Sequence, residues 1–195
     1  MRDEQMKGQV RVLGIDDSPF DFGQEKSLVV GALVRAPNYL EAVMRTEVTV
    51  DGEDSTDRLV AMVSGSNHSD QMKALMIDGI ALAGFNVIDI DRLHEATGIP
   101  VLTVTRDLPD LESMKAALKK HFDDWERRFE LVTTHELRKI KTEHKPLYAC
   151  GLGLDWPEFE ELVGLFTVRG AVPEPIRIAH LVSSALVKGE SYGRP

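Results

Sequence analysis

A chain of 195 residues with 43% apolar side chains can fill one ordinary globular core, while a formal charge of −9 and a pI near 5.2 set it against the broad basic surfaces that hold a duplex. No apolar run approaches membrane-spanning length, and residues 1–7 lack the apolar segment of a signal peptide, so a cytoplasmic protein with no membrane partner is expected. The single cysteine, Cys150, excludes an internal disulfide and, in the apolar run Leu147-Tyr-Ala-Cys150, reads as a small core residue.

Val10 to Ile15 predicts a first strand that runs straight into Asp16-Asp17-Ser18-Pro19, after which the polar, Gly-containing segment Phe20 to Lys26 turns the chain back. Ser27 to Arg35 reads as a buried strand. A turn at Ala36-Pro-Asn38 leads into Ala42 to Val50, whose alternation marks a half-exposed edge strand. Short connections make these three an antiparallel meander. Asp51 to Thr56 supplies a turn and cap candidates for a helix whose apolar side is Leu59, Val60, Met62 and Val63 and whose end falls near Gly65; Ser66 to Gln71 is a polar loop.

The apolar run Ala74 to Ile77 predicts a buried strand that delivers Asp78 at its C-terminal tip. A helical pattern through Ile90, Leu93 and Ala96 stops at Gly98, and Pro100 to Thr105 reads as another strand, ending in Arg106. Strand, helix and strand in this compass form a βαβ unit, whose handedness puts both strand tips on one rim of the sheet. A carboxylate and a guanidinium are thus offered where open α/β sheets usually take their ligands.

Beyond Arg106, Pro109 and Asp110 open a long amphipathic helix carrying Met114, Ala117, Leu118, Phe122 and Trp125, continuing or restarting as far as Val132. Its Asp123-Asp-Trp-Glu-Arg-Arg128 run reads as a solvated face. Glu136 to Thr142 and Leu147 to Leu152 predict a strand pair, Asp155-Trp-Pro-Glu158 has the form of a capping box, and helices follow over Phe159 to Phe166 and from Pro173 to about Lys188, with a tail from Ser191 to Pro195. One domain over residues 1–195 is expected, the part from about residue 136 being a C-terminal extension packed on it.

Three antiparallel strands, then helix, strand, helix, strand and helix, resemble the succession of the ribonuclease H fold, here an α/β mixed sheet with extra C-terminal strands and helices. That arrangement sets the first strand beside the fourth, so Asp16 and Asp78 share one site across sixty-odd residues of sequence. Converging carboxylates repel unless a cation holds them, which reads as a Mg²⁺ or Mn²⁺ site for hydrolytic phosphoryl transfer. For a third acid the sequence offers Asp57, Asp54 and Asp70. Singly, each acid has a plainer explanation: Asp16 as a strand-end turn former, Asp57 as a first-turn helix acid, Asp78-Gly79 as a turn. Asn86 and Asp89 follow the central strand and could orient water or bind a second metal, or Asn86 could cap the following helix. His68 and His94 are isolated and read as surface or capping residues, and Gly151-Leu-Gly-Leu-Asp155 lacks the third glycine of a dinucleotide loop.

Asp78-Gly79, with its preceding strand and Ile99-Pro-Val-Leu-Thr-Val-Thr-Arg106 after it, resembles endonuclease V. Three segments, Val12-Leu-Gly-Ile-Asp-Asp-Ser18, Val50-Asp-Gly-Glu-Asp-Ser-Thr-Asp57 and Asp78 to Asp89, resemble more closely a mainly archaeal relative known as domain of unknown function 99, over about Val10 to Leu186. By position, the resemblance implies that Asp16, Asp57 and Asp78 hold the metal and that Arg106 stands where endonuclease V has a catalytic lysine. Asp17, Asp54, Asn86 and Asp89 are secondary candidates. Two departures matter: a Glu has become the shorter Asp57, and Lys has become Arg106, a different donor. A third is that Glu47-Val-Thr-Val50 replaces the Pro-Tyr-Ile-Pro wedge, so recognition of a deaminated base is not carried over. Two functions stay open: a metal-dependent nuclease or phosphodiesterase acting on single-stranded or structured nucleic acid, and a non-catalytic module of the same fold that binds nucleic acid, a nucleotide or a protein.

Overall fold

The computed structural model describes residues 9–191, so the expectations for residues 1–7 and for the tail at 192–195 lie outside the described residues. The chain opens with β1 (Arg11–Asp17), β2 (Lys26–Arg35) and β3 (Tyr39–Thr49), the expected antiparallel meander, followed by α1 (Ser55–Ser64). Then come β4 (Ala74–Asp78), a small hairpin of β5 (Ala81–Leu82) and β6 (Asn86–Val87), α2 (Ile90–Thr97) and β7 (Val101–Thr105). The C-terminal part supplies α3 (Leu111–His121), α4 (Trp125–Thr133), β8 (Arg138–Ile140), β9 (Leu147–Leu152), α5 (Trp156–Phe166) and α6 (Glu174–Lys188).

Seven strands form one mixed sheet in the order β3-β2-β1-β4-β7-β9-β8. β1, β4 and β7 are parallel neighbours, with Ile15 opposite Ile77 and Asp78 opposite Val104, and β9 and β8 close the far edge antiparallel. The central strands are buried on both faces, which is why they read as continuous apolar runs rather than as alternating ones.

Alternate residues feed two cores. Val12, Ala74 and Met76 face α5 and α6 through Phe159, Phe166, Ile176 and Ala179, whereas Leu13, Ile15, Leu75 and Ile77 face α1 and α2 through Leu59, Val63, Ile90 and Leu93. Gly14 lies on the first face, and a Cβ there would come within 2.0 Å of the Pro175 carbonyl carbon. The start of α6 therefore rests directly on β1, and the rest of that helix runs toward the strand's tip.

The structure adds detail that the sequence pattern left open. The β5–β6 hairpin is too short to show periodicity, and the helical stretch after Pro109 restarts rather than continues, as two helices. The break falls at Phe122, which adopts an extended backbone, and its ring meets Phe85 edge-on at 5.8 Å. The Asp123–Arg128 run is also not wholly a solvated face. The Arg128 side chain, 7% exposed, lies 4.3 Å over the Phe122 ring and donates to the carbonyls of Asp51, Gly52 and Phe85 and to Asp124. The capping box at Asp155 and Glu158 is present as expected, and among the described residues no helix is long and apolar enough to cross a membrane.

Candidate functional site

The register that places Ile15 opposite Ile77 brings the next residues, Asp16 and Asp78, to adjacent strand tips on the face covered by α6. Neighbouring strands lie about 4.8 Å apart, so two carboxylates in this position feel each other strongly. Asp16 is 5% exposed. Its Oδ1 accepts from the Asp17 N–H at 2.9 Å, and its Oδ2 lies 2.8 Å from Nδ1 of His180, one turn beyond the point where α6 rests on Gly14. On the next strand, Arg106 reaches back with Nη2 4.0 Å from Asp78 Oδ2, at the limit of an ion pair.

Burial pushes the Asp16 carboxyl up to about 8, with the Asp78 and Asp17 carboxylates adding to the shift and the Asp17 N–H and Arg106 opposing it. Asp17 is pushed up to about 6, again chiefly by burial, against the N–H of Ala83 that donates to its Oδ2 at 3.0 Å. Asp78 is raised by burial too, and Arg106 and His180 moderate it. Three acids thus hold protons more tightly than usual on one rim, a state that an added cation would relieve.

Of the primary candidates, the structure brings together Asp16, Asp78 and Arg106, with Asp17 beside them. Asp57 does not join them. α1 is oriented by Leu59 and Val63, which pack on the opposite face of the sheet, so its first-turn acid points outward and pairs with Arg92 of α2. Asp54 is occupied with the end of β3: it accepts from the Thr49 N–H, the Thr49 hydroxyl, Asn86 Nδ2 and Arg58. Its hydrogen bonds outweigh its desolvation and hold the carboxyl below the usual range. Asn86 is fully buried and caps α1, not the helix that follows it. Its Oδ1 accepts from Ser55 N–H at 2.9 Å, and Nδ2 donates to the Thr49 carbonyl and Asp54, each at 2.8 Å. Asp89 is the N-cap of α2, accepting from Arg92 N–H at 3.0 Å.

His180 escaped the sequence reading because it sits within a helix read only for its apolar spacing. The signal that could have found it is Gly14: a glycine inside an apolar strand two residues before the candidate acid marks a helix backbone pressing close to that tip.

The donor chemistry fits a hard divalent cation in one respect and is incomplete in another. A buried and a half-buried carboxylate, both raised, are the kind of oxygen ligands that Mg²⁺ or Mn²⁺ prefers, and Mg²⁺ is commonly held by one or two carboxylates together with water and substrate phosphate. Among the described residues, however, no three His, Cys, Asp or Glu side chains stand ready as a full metal cage. The remaining ligand positions would fall to water and substrate.

Beside the rim, a cavity of about 220 Å³ opens between β7 and the α3–α4 pair; Gly79, Thr103, Thr105, Pro109, Met114 and Cys150 are among its walls. The Cys150 thiol, raised by burial, lies 3.1 Å from the Thr103 hydroxyl, in line with a core role.

A family model described as "Endonuclease dU" matches residues 8–187. The chain belongs to the endonuclease dU family. An archaeal relative named UPF0215 protein, from Methanothermobacter thermautotrophicus, is 41% identical over 191 residues, covering 97% of this chain and 93% of its own. The crystal structure of a protein of unknown function from Archaeoglobus fulgidus superposes with a TM-score of 0.82 at 39% identity, over 91% of this chain and 98% of that one. Endonuclease V of Ciona intestinalis, solved with a DNA 24-mer containing an inosine followed by a ribo-adenosine, has a TM-score of 0.59 at 14% identity, over 92% of this chain and 87% of that one. At that identity the likeness to endonuclease V is one of fold.

Proposed function

We propose that this member of the endonuclease dU family is a ribonuclease H-like, divalent-metal-dependent endonuclease that cleaves DNA at or beside deoxyuridine. The observation that carries the reading is the pairing of the buried Asp16 and the half-buried Asp78 on adjacent strand tips, their carboxyls both raised, with Arg106 on the same rim.

Mg²⁺ or Mn²⁺ bound between Asp16 and Asp78 would supply the Lewis acidity that activates water and offsets charge on the phosphate. The chain's own groups do the rest. Asp78 presents a carboxylate whose second neighbour, Arg106, is 46% exposed and free to turn from Asp78 to a phosphate oxygen. His180 holds Asp16 in one orientation through Nδ1. Asp17 ties the segment after β4 to the tip of β1 through the Ala83 N–H.

The missing wedge argued against a deaminated base. The family description restores deoxyuridine, the deamination product of deoxycytidine, as the substrate to test. The mostly apolar cavity bordered by Gly79, with Thr103 and Thr105 among its walls, is suited to gripping the faces of an extruded base.

The test is cleavage of a single-stranded oligodeoxynucleotide with one deoxyuridine in Mn²⁺. Scission at the deoxyuridine, absent in EDTA and reduced about 10³-fold by Asp78→Asn, is expected. Cleavage that is indifferent to the metal and to Asp78 would remove the reading and leave a binding module of the same fold.

A further inference from the structure

We propose that the aromatic groove between the β1–β2 connection and the end of α3 is a stacking site for unpaired nucleobases of a single-stranded nucleic acid. The choice of nucleic acid as the occupant rests on the nuclease reading; the groove itself does not. It has a volume of about 510 Å³ and is lined by Phe22, Asp51, Phe85, Ala117, His121 and Phe122.

Phe22 is 76% exposed, more than any other large apolar side chain of the described residues. Folding gains little from it, yet it is held in place by edge-on contact with Phe20, the ring centroids being 5.4 Å apart. Across the groove, Phe85 and Phe122 meet edge-on, and the buried Arg128 anchors both segments, lying over the Phe122 ring and donating to the Phe85 carbonyl. The groove therefore offers an exposed aromatic edge facing a packed aromatic wall. Aromatic faces of this kind take up bases of any sequence, provided the bases are unpaired.

Charge favours the same occupant. From Ser113 to Phe122 the chain carries Lys115, Lys119, Lys120 and His121 and no acid, in a protein of net charge −9. Lys119, Lys120 and His121 fall in the last turn of α3, and His121 is part of the groove's wall. A strand whose bases stack on the phenylalanines would lay its phosphates along that turn.

The walls of the groove are tied to the rim through the chain. Phe20 and Phe22 lie on the loop that leaves Asp16 and Asp17, and Asp17 accepts from Ala83 N–H. Asp51 accepts from Phe85 N–H at 2.8 Å, and Gly84, at φ +90°, lets the backbone pass where a Cβ would come within 2.3 Å of the Asp51 carboxylate. One short segment, Ala83 to Phe85, thus joins the acid cluster to the aromatic wall, and a strand held in the groove would lie against residues close in the chain to the carboxylates.

The experiment uses the full chain with Asp78→Asn to prevent cleavage and a short single-stranded oligodeoxynucleotide carrying 2-aminopurine. Binding should quench the 2-aminopurine. Phe22→Ala should weaken binding roughly 5-fold to 100-fold and abolish the quench, and Phe22→Trp should restore both. Replacing Lys120 and His121 by Glu should weaken binding and flatten its salt dependence. Equal affinity and quench for Phe22→Ala would overturn the proposal, as would tighter binding of a blunt duplex than of the single strand, or no binding of the single strand by folded protein. Quenching that depends on Phe22 in a chain that cleaves nothing would keep the groove and remove the nuclease reading; cleavage with no dependence on Phe22 would do the reverse.

Discussion

Two polar clusters flank the central strands, and they treat their acids in opposite ways. At the junction of β3, α1 and β6, Asp54 accepts four hydrogen bonds and its carboxyl is held below the usual range; the buried Asn86 uses both ends of its amide, and Arg128 closes over the carbonyls of Asp51, Gly52 and Phe85. At the tips of β1 and β4, Asp16, Asp17 and Asp78 crowd together with one loosely placed arginine, and all three are raised. An acid whose charge is fully met locally holds the fold. An acid left with unbalanced charge in a buried cluster is poised for something that arrives from outside.

The contrast can be broken most severely at Asn86. Asn86→Ala removes the partner of the Ser55 N–H, the Thr49 carbonyl and Asp54 together, and should cost about 3 kcal/mol in urea unfolding. Asp78→Asn, although close to total in its effect on cleavage, should leave the fold at least as stable when no metal is present. If both variants lost stability alike, the division into structural and functional clusters would fail.

A smaller effect lies in pH. Asp16 carries its proton up to about 8 in the folded protein against 3.8 for an ordinary aspartate, so between those values the folded state binds a proton that the unfolded chain has released. Without metal, this group's stabilising contribution is therefore complete below about pH 4 and is lost as the pH rises toward 8, with Asp17 acting in the same sense toward about 6. Thermal melts in EDTA should fall across this window, more steeply for the natural chain than for Asp16→Asn. Melts that rise over the same range would contradict the buried, unbalanced rim.

The smallest effect is expected at Asp57. Its ion pair with Arg92 is exposed, 61% for the Asp57 side chain, and such pairs contribute about 0–1 kcal/mol. Asp57→Asn should leave both the melting temperature and Mn²⁺ binding nearly unchanged. A loss of Mn²⁺ binding as large as that caused by Asp78→Asn would return Asp57 to the metal site.

The order β3-β2-β1-β4-β7, the two central acids and Arg106 were legible because buried parallel strands are continuous apolar runs, and an acid at the end of such a run stands out, whereas nothing in the sequence put β9 beside β7. The placement of Asp57 was not legible, because it depends on which face of the sheet receives α1, and helix periodicity fixes the buried side of a helix without saying what it packs against. The same limit hid Arg128: a charged residue among charged neighbours gives no sign that it turns inward to collect three carbonyls from distant segments. His180 and the β5–β6 hairpin were hidden by distance in sequence and by brevity. Each acquires its role only when α6 comes to rest on Gly14 and when Asp17 takes the Ala83 amide.

Calorimetric titration of Mn²⁺ into the natural chain and into the Asp16→Asn, Asp78→Asn double variant bears most directly on the rim. Binding heat from the natural chain that grows between pH 6 and pH 8, with none from an equally well folded double variant, is the expected result. Matching heats from the two proteins would mean that these carboxylates do not hold the ion.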